Sequence, residues 1–133
     1  MYYETNYTPP YPAVRIRISF QYKNRVIQLP SFDAMIDTGA DCSCIPSSII
    51  ATVPKRLYSI EIVSTAGGVE LNVNRIVLPS PKVEFLDQNN NLLLEMDYKE
   101  LWPAEFEEAL VGRDIINSFI CVLDGPNTNC NLS

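Results

Sequence analysis

Ala34-Met35-Ile36-Asp37-Thr38-Gly39-Ala40 is the stretch on which the reading of this chain turns. Three apolar residues lead straight into a carboxylate, so Asp37 leaves the end of a buried strand, where an unpaired charge is costly. Gly39 lets the backbone turn sharply and approach a neighbour closely. Thr38 supplies a short hydroxyl able to hydrogen-bond across a turn or an interface. Taken alone, the triplet also fits an ordinary Asp turn between two strands. It occurs once, so a chemistry that needs two facing carboxylates needs two copies of the chain.

The totals narrow the choices around it. The chain has 133 residues, 47% of them hydrophobic, enough for one domain with a real core. Ten prolines and five glycines against 20% charged residues suggest strands and turns. A net charge of −6 argues against nucleic acid as a ligand, because phosphate neutralisation needs clustered Lys and Arg. The close basic pairs Arg15/Arg17 and Lys55/Arg56 are expected on a solvated strand face and a solvated loop. Residues 1–12 hold no apolar run of a signal peptide, and no run is long enough to span a membrane. A cytoplasmic location is the expectation.

There is no histidine, which removes Ser-His-Asp, Cys-His and His-metal catalysis together. The four cysteines, Cys42, Cys44, Cys121 and Cys130, lack the spacing of a zinc site and read as small buried thiols in a reducing compartment. Carboxylates are the acid-base groups left.

Residues 1–12 read as a loose N-terminal arm. Val14, Ile16, Ile18 and Phe20 alternate with Arg15, Arg17, Ser19 and Gln21, the period of a half-buried strand. Val26 to Leu29 returns beside it. Phe32 to Asp37 and Cys42 to Ile45 are short strands, and Ser47 would cap one helical turn. Tyr58 to Val63 and Val69 to Leu78 flank Ser64-Thr65-Ala66-Gly67-Gly68 as a hairpin. Pro81 to Leu86 and Leu92 to Met96 follow, then a loop with a short helix over 98–108. Ala109 to Val111 is a buried strand, Arg113 to Phe119 has helical spacing, and Ile120 to Leu123 is another strand. Residues 127–133 are a polar tail or an edge strand. About nine short strands with one or two short helices make a small closed or sandwich-like β fold.

A second motif lies far downstream. Ala109-Leu110-Val111-Gly112-Arg113-Asp114-Ile115-Ile116 is an apolar triplet, a glycine, a charged pair and an apolar helix. Residues 34–41, the hairpin at Ala66-Gly67-Gly68 and residues 110–116, in that order, resemble the retropepsin-like aspartic proteases, the family of the retroviral proteases and their cellular relatives. The resemblance spans roughly residues 13–125, and the combination is much more specific than any one motif.

The resemblance implies an all-β fold: a small closed β-barrel of the retropepsin type with one short C-terminal helix, over residues 13–126. It implies an aspartic endopeptidase acting on peptide or protein substrates as a homodimer, with one catalytic Asp37 from each subunit and neither metal nor cofactor. Thr38 would hydrogen-bond across the dimer beneath the aspartates, and Gly39 and Ala40 would meet the bound peptide. Asp41 would bind peptide backbone and form an ion pair with Arg113. Ala66, Gly67 and Gly68 would be a substrate-binding flap, and Gly112 and Arg113 would support the Asp37 turn. Family cleft walls are apolar, which makes Ile36, Ile45, Val63, Val69 and Leu110 candidates for that role. The tip Thr65-Ala66-Gly67-Gly68 is less glycine-rich than a retroviral flap. The segment 97–108 is longer than its retroviral counterpart, and so are the termini. The competing reading is a catalytically silent retropepsin-fold module for peptide binding or dimerisation.

Overall fold

The computed structural model describes residues 1–64, 66–98, 102–103 and 109–133, those at 58–64, 71–76 and 102–103 through their backbone. Strands β1 (Tyr2–Glu4), β2 (Tyr11–Tyr22), β3 (Arg25–Gln28), β4 (Phe32–Ile36) and β5 (Cys44–Ile45) come first. A helical turn α1 (Ser47–Ile50) and a 3₁₀ turn at Lys55–Leu57 lead to the hairpin β6 (Tyr58–Ser64) and β7 (Glu70–Ile76). Then come β8 (Lys82–Leu86), β9 (Leu92–Asp97), β10 (Trp102–Pro103), β11 (Leu110–Val111), α2 (Arg113–Ile116), β12 (Cys121–Asp124) and β13 (Asn129–Leu132). The chain is mostly β. No described helix is long and apolar enough to cross a membrane.

The long strand β2 organises the sheet because both of its edges and both of its ends find partners. It pairs antiparallel with β1, β3, β4 and β8 along different parts of its length. Its even-numbered residues Val14, Ile16, Ile18 and Phe20 are at most 3% exposed, as their alternation predicts. They meet Val83, Phe85, Ala34 and Ile36 in one core, and Phe119 closes edge-to-face on Phe85 at 5.5 Å between ring centroids. The β2–β3 hairpin turns through Lys23 and Asn24, both at positive φ, the two-residue turn whose twist suits flanking strands.

The other face of β2 is not simply solvated. Arg15 stands opposite Asp33 of β4 and bonds it at 3.1 Å, and Arg17 stands opposite Glu84 of β8 and bonds it at 2.7 Å. Glu84 is 9% exposed, so the guanidinium balances a carboxylate largely removed from water.

Other expectations meet the structure in different ways. The main sheet runs β10-β5-β11-β4-β2-β8-β9 with β1 and β3 attached to β2, and among the described residues no pairing joins β10 to β9 to close it as the expected barrel would. The N-terminal arm is not loose: Tyr2 to Glu4 pair with Ala13 to Tyr11. Pro46, not Ser47, occupies the N-cap of α1, and its ring leaves no side-chain cap. The tail forms the hairpin β12–β13, and Cys130 and Leu132 alternate inward to the core. Of the cysteines only Cys130 is buried; Cys44 and Cys121 are half-buried, Cys42 is exposed, and all four are free. The loop expected over 98–108 falls mostly outside the described residues, although Trp102–Pro103 is a short strand parallel to β5.

Candidate active site

Asp37 follows directly on β4, and β11 fixes where that strand ends. The two strands are parallel, with Leu110 opposite Met35 and Val111 opposite Ile36. The Met35 N–H donates to the Ala109 carbonyl and the Asp37 N–H to the Val111 carbonyl, both at 2.9 Å. The backbone is therefore held up to Asp37 itself. The Asp37 side chain is half-buried, and its Oδ1 accepts the Gly39 N–H at 2.9 Å. The Ala40 N–H closes the turn onto the Asp37 carbonyl at 3.2 Å. A Cβ at position 39 would stand 3.3 Å from Asp37 Oδ1, tighter than ordinary contact, so glycine is suited here by close approach rather than by a left-handed φ.

The second motif clamps this turn from behind. A Cβ on Gly112 would lie 2.8 Å from the Cys42 carbonyl carbon and 2.9 Å from the Ala40 and Cys42 oxygens, so no larger residue fits. The Arg113 N–H donates to the Ala40 carbonyl at 2.9 Å. Arg113 Nη2 forms an ion pair with Asp41 Oδ1, both side chains largely exposed.

Sequence reasoning missed the centre of this clamp. Ser43 Oγ accepts the buried Gly112 N–H at 2.9 Å and donates to Asp114 Oδ1 at 2.7 Å. The Ser43 N–H donates to Asp114 Oδ2 at 3.0 Å, and the Tyr98 hydroxyl donates to the same oxygen. One carboxylate in the first turn of α2 thus ties β5, the Asp37 loop and residue 98 together. Burial and the Asp114 charge push the Tyr98 phenol well above its usual range. The signal available in sequence was the charged pair after Gly112, of which only the arginine was used.

The remaining candidates separate. Thr38, Gly39 and Asp41 are exposed beside Asp37, and Ala40 is half-buried. Ala66, Gly67 and Gly68 sit at the exposed tip of the β6–β7 hairpin, a two-stranded ladder of its own. Gly68 has φ 77°, a left-handed conformation that a side chain would strain. Thr65 lies outside the described residues. Ile36 and Ile45, each 4% exposed, belong to the core rather than to a cleft wall, whereas Leu110 is half-buried and Val69 exposed. The Cys42 and Cys44 thiols are raised by burial first and then by neighbouring negative groups. That disfavours the thiolate, so neither is prepared as a nucleophile.

An Asp-Thr-Gly turn seated on a glycine-arginine turn within a mostly β chain is the arrangement of an aspartic protease lobe. The family model for retroviral aspartyl proteases matches residues 8–124, and the chain belongs to that family. A search of curated proteins finds no significant match.

Proposed function

We infer that the chain is an aspartic endopeptidase whose active site is completed by a second copy, each subunit supplying one Asp37. The observation that carries this reading is the seat of Asp37: a half-buried carboxylate, one oxygen fixed by the Gly39 N–H, on a strand end locked to β11. Two such carboxylates brought face to face cannot both ionise easily, so the pair holds one proton and titrates as a unit. The ionised member takes a proton from water as that water attacks the scissile carbonyl. The protonated member donates to the carbonyl oxygen. No covalent intermediate forms. In this reading Thr38 bonds across the interface, and Gly39, Ala40 and Asp41 receive the peptide backbone. Ala66, Gly67 and Gly68 cover it and exclude water. Gly112 and Arg113 hold the turn.

The test is Asp37→Asn, which is close in shape but cannot act as a base. Peptide cleavage is expected to fall roughly 10²–10⁴-fold with the circular dichroism spectrum unchanged. An Asp37→Asn chain that cuts as fast as the native one ends the proposal. Specific activity should also fall on dilution as dimers dissociate. Cleavage should be fastest below neutral pH and decline as the shared proton is lost, so a rate climbing steadily through pH 8 would contradict the dyad.

A further inference from the structure

Strand register decides what lies beside Asp37. Side chains alternate along β4, so Asp33, Met35 and Asp37 share one face while Ala34 and Ile36 turn into the core. Across the ladder, Leu110 and Ala13 stand opposite Met35, and Arg15 stands opposite Asp33. One strand further out, Tyr2 is opposite Ala13 and Glu4 is opposite Tyr11. These residues therefore belong to the same sheet face as the carboxylate of Asp37.

A cavity of about 380 Å³ opens on that face. Met35 and Leu110 form its apolar floor, two residues and roughly 7 Å of strand from Asp37. Tyr2, Tyr7 and Tyr11 wall it, the rings of Tyr7 and Tyr11 tilted at 5.4 Å. Its charged lining is acidic, Glu4 and Asp33. Asp33 is already matched, by Arg15 at 3.1 Å and by the Tyr2 hydroxyl. Glu4 Oε1 accepts only the neutral Asn6 N–H, at 2.9 Å, and no cation pairs with Glu4 among the described residues. Burial, with the charge and hydrogen bond of Asp33, pushes the Tyr2 phenol up to about 12, so Tyr2 stays neutral at working pH.

We propose that this cavity is the specificity pocket for the substrate residue flanking the scissile bond, and that it takes an arginine or lysine side chain. The aliphatic stem lies on Met35 and Leu110, the cation meets the tyrosine faces, and Glu4 supplies the unmatched charge. A neutral apolar side chain of the same length fills the floor but leaves Glu4 without a counter-charge. Two-fold symmetry places one such pocket on each side of the paired aspartates, so basic residues are favoured on either side of the bond. The assignment rests on the protease reading above.

The experiment compares three peptides identical except for Arg, Leu or Glu beside the scissile bond. The native chain is expected to cut in the order Arg, Leu, Glu by kcat/KM. In Glu4→Gln the Arg-to-Leu ratio should fall about fivefold, the scale of a partly exposed charge pair. In Glu4→Lys the preference should move toward the Glu peptide. The ratio of the native chain should also fall as salt is added, a measurement that needs no variant. Leu cut as well as Arg by the native chain overturns the pocket and leaves the protease reading standing. So does a Glu4→Gln chain that slows all three peptides equally, because that marks a structural role. If none of the three is cut at any pH, the protease reading falls, and the pocket with it.

Discussion

Two glycine-bearing turns, at 37–41 and at 66–68, join strands in this chain, and they are held in opposite ways. The first is gripped by parallel strand pairing, by the Arg113 N–H and by the Ser43–Asp114 clamp, with backbone pressed against Gly112. The second stands at the exposed end of a two-stranded ladder, and among the described residues a Cβ on Gly68 would meet nothing within 4 Å. The glycines differ accordingly. Gly112 is required by space and Gly68 by backbone conformation. On the proposed function, the carboxylate that would face its symmetry mate has the fixed seat, and the turn proposed to cover a peptide has a shape set by its own backbone.

This contrast can be broken in steps of decreasing size. Gly112→Ala forces a methyl group into the backbone of residues 40–42 and should cost about 1–3 kcal/mol in urea unfolding. Loss of activity should accompany it, because the Asp37 turn moves. A Gly112→Ala chain of native stability would mean that the seat is not tight. Ser43→Ala strips the partner from the buried Gly112 N–H and should cost about 1–2 kcal/mol. Gly68→Ala strains only a left-handed residue and should cost about 1 kcal/mol, with no change at the Asp37 seat. A Gly68 effect larger than that of Gly112 would reverse the comparison. The smallest effect concerns pH. The Tyr98 phenol keeps its proton to higher pH in the folded chain than in the unfolded one. The unfolded state therefore releases its proton first, and stability should fall as pH rises past about 10. Tyr98→Phe should flatten that decline, and an unchanged slope would remove Tyr98 from the clamp.

The parts legible in sequence were those whose signal is local. The alternation of Val14 to Phe20 marked the central strand. Asp37 to Gly39 and Gly112 to Arg113 marked the two turns through a known pattern. The clamp was not legible, because Ser43 and Asp114 are 71 residues apart and neither has an unusual neighbourhood in the linear chain. The edge strand at Tyr2–Glu4 was missed because polar and aromatic residues carry no clear period over three positions. Arg15 and Arg17 read as solvated because their partners Asp33 and Glu84 lie on other strands. The order of strands in the sheet depends on which edges pair across the whole fold, a global property that no window of sequence contains.

The seat of Asp37 also sets when it can exist. Ser43 and Gly112 are 69 residues apart, and β4 meets β11 only after the intervening chain has been synthesised and its ends brought together. Closing so long a loop is entropically costly and is repaid only when the non-local pairing forms. A growing chain that already contains Asp37, Thr38 and Gly39 thus lacks the strand that holds them. Asp37 acquires its fixed geometry late in folding, once the chain as far as Val111 is in place.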